Sequence, residues 1–287
     1  MSLYQLVADD CRHVLSKVPA NTFHACICDP PYAMNMAEWD KAIPGVEVWE
    51  AVFNGIKPGG FVLASSSTPL YHNLANNIEG AGFKIMDFIS WINPTKMPVS
   101  KNRLKPAQEV FAVGQKPFEV SLKSNQLRHG CGIINIDAGR IPWPGKPPVN
   151  ARGGHDRRRF GKLAEGAATY EYIEAHPGGR YPSNVIGDFE GQGDYQKHFF
   201  APTASRKERG EYNDHPTPEP IALMGYLVKL FSHEGSLVLD PFCGSGSTGI
   251  AALNLNRQFF GIDLSERYLE ITRRRIADHC HTDKVAG

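Results

Sequence analysis

Leu237-Val238-Leu239-Asp240-Pro241-Phe242-Cys243-Gly244-Ser245-Gly246-Ser247-Thr248 decides the fold. A short apolar run ends in an acid, a glycine loop follows, and residues 248–255 continue at helical spacing. Gln258-Phe259-Phe260-Gly261-Ile262 is then a second strand, ended by Asp263. Strand, Gly-x-Gly loop, helix, strand and acid, in that order, form a nucleotide-binding half of a doubly wound sheet. The glycines let the backbone approach a ligand, and an acid at the next strand tip can accept both ribose hydroxyls. A dinucleotide oxidoreductase would use the same layout. Two details depart from it: the loop lacks a third glycine, and Asp240-Pro241-Phe242 stands where a pyrophosphate loop would begin. Beyond Asp263, Ser265 suits the N-cap of a last helix. Arg273-Arg274-Arg275 sits in that helix's last turns, where cations complement the dipole.

A second motif lies far earlier in the chain. His24-Ala25-Cys26-Ile27-Cys28 is short, apolar and β-prone, as a central strand buried on both faces should be. Asp29-Pro30-Pro31-Tyr32 follows. Two prolines stop a strand because they lack N–H donors and fix φ, so alone the tetrapeptide reads as a strand-ending turn. Further out, Leu3-Tyr4-Gln5-Leu6-Val7 reads as a strand. Asp9-Asp10 then precedes a short helical segment, which an Asp can cap. Residues 46–56 form a helix stopped by Lys57-Pro58-Gly59-Gly60, and Phe61-Val62-Leu63-Ala64 is the next strand. Ser65-Ser66-Ser67-Thr68 lies at its carboxyl end, where ligands gather in open parallel sheets. A helix over 70–80, strands over 83–91 and 108–113 and an amphipathic helix over 221–231 complete an α/β, doubly wound sheet.

Residues 117–212 break that alternation. They are rich in Gly, Pro and Arg, and their periodicity is weak. The net charge of +1 conceals an asymmetry: residues 94–212 are net positive, while both flanks are net negative. A basic insert on a slightly acidic scaffold suits a polyanion-binding module as well as a solvated basic surface. Three segments result: 1–116, an inserted 117–212, and 213–287. The chain's 287 residues and 41% hydrophobic content suffice for a large core. No apolar run approaches transmembrane length and no secretory signal is visible, so no membrane association is expected. The six cysteines contain no CxxC pair, and Cys26 and Cys28 share one strand face, which suits free thiols in a reducing cytoplasm. His279-Cys280-His281 lacks a second ligand pair, so no metal is expected.

Asp29-Pro30-Pro31-Tyr32 together with the loop 240–248 resembles the S-adenosylmethionine-dependent DNA amino-methyltransferases. The order, catalytic motif first and cofactor loop last, is similar to the β group of that permuted family. The resemblance covers roughly residues 3–115 and 199–278. Asp9-Asp10-Cys11, Lys57-Pro58-Gly59-Gly60 and His215-Pro216-Thr217-Pro218-Glu219-Pro220 also resemble its segments. Phe199-Phe200-Ala201 and residues 204–209 look like phage and prophage members. One residue departs: Glu219 stands where a Lys is common, which puts any anion contact by that Lys in doubt.

The resemblance implies a Rossmann-like methyltransferase sheet, mixed but mostly parallel and circularly permuted, with an inserted target-recognition region. It implies S-adenosylmethionine as cofactor. Asp263 would bind the ribose, and Asp10 and Cys11 would lie near the adenine. Asp29, Asp240, Phe242, Gly244, Ser245, Gly246 and Thr248 would line the site, and His215 and Thr217 would close over the amino-acid end. Asp29, Pro30, Pro31 and Tyr32 would be catalytic. An exocyclic base amine is a poor nucleophile because its lone pair is delocalised into the ring. The Asp29 carboxylate and the Pro30 carbonyl would draw the nitrogen toward sp³ geometry, and Tyr32 would stack on an extruded base. The implied partner is double-stranded DNA, with the middle region supplying phosphate and base-edge contacts from residues such as Arg152, Arg157, Arg158, Arg159 and Lys162. A homodimer and a restriction–modification setting are further expectations; no feature identifies a restriction partner. Asp at the start of the motif favours adenine N6; N4-cytosine enzymes more often begin it with Ser. A nucleotide-binding oxidoreductase, an inactive nucleic-acid-binding module and an RNA or protein acceptor are the rival readings.

Overall fold

The computed structural model describes residues 3–93, 96, 101–102, 104–143, 149–153, 170–187 and 203–280. The chain divides into two compact units, residues 1–135 with 183–287, and residues 136–182. The first holds an eight-stranded sheet. Its strands are β1 (Tyr4–Ala8), β2 (Phe23–Cys28), β3 (Ile56–Ser66), β4 (Lys84–Ile92), β5 (Gln108–Gln115), β8 (Val185–Ile186), β9 (Leu237–Asp240) and β10 (Gln258–Asp263). Their order is β1-β10-β9-β2-β3-β5-β4-β8. Among these, β5 alone runs against its neighbours, so the sheet is mixed and mostly parallel, as expected.

Side-chain alternation assigns the two faces. Cys26, Cys28, Val62, Ala64 and Leu239 join one core cluster with residues of α1 (Cys11–Leu15), α2 (Val46–Gly55) and α3 (Tyr71–Gly80). On the other face, Phe61 meets Phe231 of α6 (Ile221–Phe231) edge-on, with ring centroids 5.2 Å apart. There Ile250 of α7 (Ser247–Asn254) packs with Ile276 of α8 (Glu266–His279). Parallel strands covered on both faces must be apolar throughout, which is why β2 carries no alternation. Asp10 and Ser265 cap α1 and α8 by accepting from Arg12 N and Tyr268 N.

The turn read at Lys57-Pro58-Gly59-Gly60 is instead absorbed into β3 as a bulge. Phe23 pairs with Ile56, but Ala25 already pairs with Phe61. Neighbouring elements take up the bulge's polar groups. Gln115 Nε2 donates to Gly59 O at 3.0 Å, and Lys116 N donates to Gly60 O at 2.9 Å. Asn125, buried on α4 (Leu122–His129), donates to Pro58 O at 2.9 Å and to Cys131 O at 2.8 Å. Helix α4 and strand β8 belong to the sheet-bearing unit, so the second unit is narrower than the insert read as 117–212. A short helix, α5 (Arg206–Arg209), also falls within that insert.

The second unit holds the antiparallel pair β6 (Val149–Gly153) and β7 (Tyr170–Glu174). Within it Arg140 lies over the Tyr181 ring at 4.7 Å, and Trp143 Nε1 donates to His176 O at 2.9 Å. Arg152 is on β6; its side chain, and Arg157, Arg158, Arg159, Lys162, Phe199, Phe200, Ala201 and His281, lie outside the described residues. Among the described residues no helix is long and apolar enough to cross a membrane, and no His/Cys/Asp/Glu cluster could hold a metal.

Asn125→Ala should strip two buried carbonyls of their amide donor. The expected cost is about 2 kcal/mol, seen as a lower urea midpoint with an unchanged m-value.

Candidate active site

Strand order reverses between β9 and β2. From β9 the sheet runs to β10 and β1; from β2 it runs to β3, β5, β4 and β8. Crevices outside the carboxyl ends of strands at such a switch point bind ligands. β2 and β9 pair in parallel, Ala25 with Val238 and Cys26 with Leu239. Continued one step, that register sets Asp240, the last residue of β9, level with Ile27, so Asp29, just past β2, emerges two residues further along at the same end of the sheet. A cavity of about 810 Å³ opens over both tips. It is lined by Asp29, Pro30, Pro31 and Tyr32, and by every residue implied for cofactor contact.

On the β9 side, Gly244 (φ 51°) and Gly246 (φ 81°) hold left-handed conformations. A Cβ on Gly244 would stand 2.9 Å from His215 Nε2, and one on Gly246 would overlap Thr272. Asp263 fastens this loop to the start of α8: Oδ2 accepts from Gly244 N at 2.7 Å and Oδ1 from Ser265 N at 2.8 Å. Each oxygen keeps a lone pair for a further donor. Asp240 is 3% exposed and accepts from Phe242 N at 3.0 Å; burial pushes its carboxyl up to about 7, against the pull of the Thr248 hydroxyl. Phe242 packs near Trp49, with ring centroids 6.2 Å apart. Asp10, tied to Arg12 in an ion pair as well as capping α1, still lines the cavity. Burial pushes the neighbouring Cys11 thiol up to about 11.

His215 is buried. Burial, with help from the Arg275 charge, pulls it down to about 4, so it is neutral at physiological pH. Its ring sits between Trp39, stacked at 5.9 Å, and Tyr268, edge-on at 4.6 Å. Thr217 is exposed at the rim, and its N–H donates to His215 Nδ1 at 3.4 Å.

On the β2 side, Ser65 Oγ donates to Asp29 Oδ1. Burial, then the nearby Glu109 charge, raises Asp29 to about 6, opposed by the Ser65 and Tyr32 hydroxyls. Tyr32 OH donates to Glu109 Oε2 at 3.1 Å, and Glu109 pairs with Lys96. Burial and these carboxylates raise the Tyr32 phenol.

Three participants are not read from the sequence as part of the site. Asp40, 2% exposed, accepts from Tyr32 N at 2.7 Å and from Met34 N and Met36 N at 3.1 Å each. It fixes the loop after the motif, where Ala33 (φ 57°) and Asn35 (φ 56°) are left-handed. Glu109 read only as a strand residue. Arg275, fully buried, donates from Nη1 to Ser245 O at 2.6 Å, Ser245 Oγ at 3.0 Å and Ser247 Oγ at 3.2 Å. It anchors the glycine loop and does more than complement a helix dipole. Arg273 does stay on the helix surface, paired with Glu266 and Glu270.

A nucleotide-type cleft beside an Asp-Pro-Pro-Tyr tip defines a group-transfer enzyme of the methylase class. Residues 23–274 match the family model described as DNA methylase, and the chain belongs to that N6/N4 DNA methylase family. It is 41% identical over 299 residues to the type II methyltransferase M2.MboI of Moraxella bovis, covering 95% of this chain and 87% of that one. The solved structure of TTHA0409 from Thermus thermophilus superposes with a TM-score of 0.58, at 22% identity over 97% of both chains. The cytosine-N4-specific PvuII DNA methyltransferase superposes at 0.57, with 16% identity over 96% of this chain and 86% of that one. S-adenosylmethionine is the cofactor. The cleft fits it: the Asp263 carboxylate has acceptor capacity for a diol, and acids at three strand tips suit a cationic ligand.

Asp240 titrates far above its unfolded value of about 3.9, so the folded state favours its protonated form. Its stabilising contribution is present below about pH 4 and is lost as pH rises through about 7. Asp240→Asn should therefore raise unfolding stability more at pH 8 than at pH 5, by about 3 kcal/mol, in paired denaturation curves. Asp40→Ala should lower kcat more than tenfold while S-adenosylmethionine affinity in calorimetry stays within a few-fold, because Tyr32 loses its backbone anchor.

Proposed function

We propose that this DNA methylase transfers the methyl group of S-adenosylmethionine to the exocyclic N6 of an adenine flipped out of double-stranded DNA. The observation that carries the reading is that an Asp opens the Asp-Pro-Pro-Tyr motif and shares one cavity with the glycine loop. Asp263 would hold the ribose, with Asp10 and Cys11 near the adenine of the cofactor. Phe242, Gly244, Ser245, Gly246 and Thr248 would line the methionine part, and His215 and Thr217 would close over its amino-acid end. Asp240 sits beneath, where the loop begins. Bound there, S-adenosylmethionine supplies an electrophilic sulfonium methyl.

The chain's own work is positioning. Ser65 occupies Asp29 Oδ1, which leaves Oδ2 to accept from the target amine. The Pro30 carbonyl accepts the second amine hydrogen, and the nitrogen lone pair is freed from the ring. Pro31 completes the rigid turn. Tyr32, tethered through Glu109, offers its ring face to the base, and stacking of this kind is worth about 1–3 kcal/mol. Holding the amine in line is the main source of rate, for which about 7–11 kcal/mol is available in favourable cases. Asp29 needs only to be ionised before transfer; the amine becomes acidic once methylated. The basic middle region contacts phosphates and base edges. The type II methyltransferase name of its M2.MboI relative supports a restriction–modification setting. A homodimer follows from the family resemblance and is checked by sedimentation.

Incubation with unmethylated genomic DNA and labelled cofactor, followed by nucleoside mass spectrometry, should yield N6-methyldeoxyadenosine. N4-methyldeoxycytidine in its place would overturn the adenine assignment. Asp29→Ala should reduce transfer by at least about 10³-fold with cofactor binding retained, since both orientation and charge are lost. In the wild type kcat/KM should fall as pH drops through about 6, where Asp29 takes up a proton.

A further inference from the structure

Glu219 faces the β2 side of the cavity although its sequence neighbours serve the cofactor side. It precedes α6 and lines the same cavity as Asp29, Tyr32, Glu109 and Lys96. Its backbone is pinned by Ser247, whose hydroxyl donates to Glu219 O at 2.6 Å. Its Oε2 is buried and has no hydrogen-bond partner among the described residues. A buried carboxyl oxygen without a partner is costly when ionised and less so when it holds a proton or a ligand completes it. Among the described residues three acids, Asp29, Glu109 and Glu219, share this end with one cation, Lys96, which already pairs with Glu109.

We propose that Glu219 is a neutral carboxylic acid that donates its O–H to the ring nitrogen beside the target amine, N1 of adenine, and so selects the base. The proposal rests on the adenine reading above. Asp29 and Glu219 then make a complementary pair: a carboxylate accepts from N6–H while an acid donates to N1. An ionised Glu219 would instead set a negative charge against the ring-nitrogen lone pair. The groups around Glu219 agree. Burial raises its carboxyl well above the usual range, Glu109 and Asp29 raise it further, and only Lys96 opposes them. Tyr32, the other titratable group here, is itself raised and stays neutral.

The test uses the full-length protein, unmethylated genomic DNA and labelled S-adenosylmethionine, with kcat/KM followed from about pH 6 to about pH 10. The wild type should lose activity on the alkaline side as Glu219 ionises. Glu219→Gln, which keeps an uncharged donor, should lose that alkaline fall and retain the acid limb set by Asp29. Glu219→Ala should lower kcat/KM about tenfold at neutral pH, the worth of one hydrogen bond to the base. An alkaline limb in Glu219→Gln identical to that of the wild type overturns the proposal, as does an unchanged kcat/KM in Glu219→Ala. An independent readout needs no turnover: the infrared difference spectrum of wild type minus Glu219→Gln at neutral pH, in which the Asp240 contribution cancels, should show a protonated-carboxyl band. Absence of that band from the difference spectrum also overturns the proposal. Thermal unfolding and cofactor calorimetry report whether each variant is folded. N4-methylcytosine as the product would overturn the adenine reading and move the contact to N3, whereas an unchanged pH profile with N6-methyladenine would overturn Glu219 alone.

Discussion

The parallel pairing of β2 with β9 is the constraint on which the site depends. It consists of two registered positions, Ala25 with Val238 and Cys26 with Leu239, deep in the sheet. Because parallel neighbours run to the same end of the sheet, Asp29 and Asp240 emerge on one side, Asp29 two residues further along. Each then starts a loop that cannot continue the strand: two prolines follow Asp29, and Pro241 and a left-handed glycine follow Asp240. A one-residue slip would turn every side chain of one strand to the opposite face. The apolar run of β2, buried on both sides, tolerates no such slip at its polar tip. The two motifs can therefore lie far apart in the chain and still form one cavity.

That arrangement crowds negative charge into a buried place. Asp29, Asp240 and Glu219 are all raised above their ordinary ranges by burial. The cost is met locally and unequally. Asp240 has a backbone N–H and a threonine hydroxyl, Asp29 has Ser65, and Glu109 has Lys96 and Tyr32. Asp263, at the tip of the next strand, is satisfied twice by backbone. The polar network thus grades from acids bonded to backbone at the loop to an oxygen on Glu219 without a partner among the described residues. Destabilising groups of this kind persist where chemistry uses them.

What could be read in the sequence was whatever a local rule encodes. Alternation of strands with helices, the Gly-x-Gly turn, the proline-stopped strand and the serine N-cap each follow from a few adjacent residues. Asp40, Glu109 and Arg275 follow from none. Asp40 matters because the chain folds back to present three N–H groups to it, and Arg275 because α8 packs its guanidinium under the loop. The same limit explains Lys57-Pro58-Gly59-Gly60. Pro-Gly-Gly encodes a turn, but Gln115, Lys116 and Asn125 supply partners that let the segment remain in β3 as a bulge. Helix α4 went unread because its sequence is mostly polar and its one buried residue is Asn125, which leaves no apolar period to detect.

Arg275 also shows how the cofactor loop can be both open and rigid. A loop of Gly, Ser and Thr with two left-handed glycines would ordinarily be mobile, since glycine gives up the most backbone freedom on ordering. Here one guanidinium nitrogen, Nη1 of Arg275, reaches the Ser245 carbonyl and hydroxyl and the Ser247 hydroxyl. Thr272, one turn earlier on α8, donates to Gly244 O at 3.0 Å. Asp263 holds Gly244 N from the side. Arg275 and Thr272 are not part of the cavity lining, so their contacts hold the loop without occupying the site. The positional precision that in-line transfer demands is therefore already built into the buried side of the site, and binding need order only the ligands themselves.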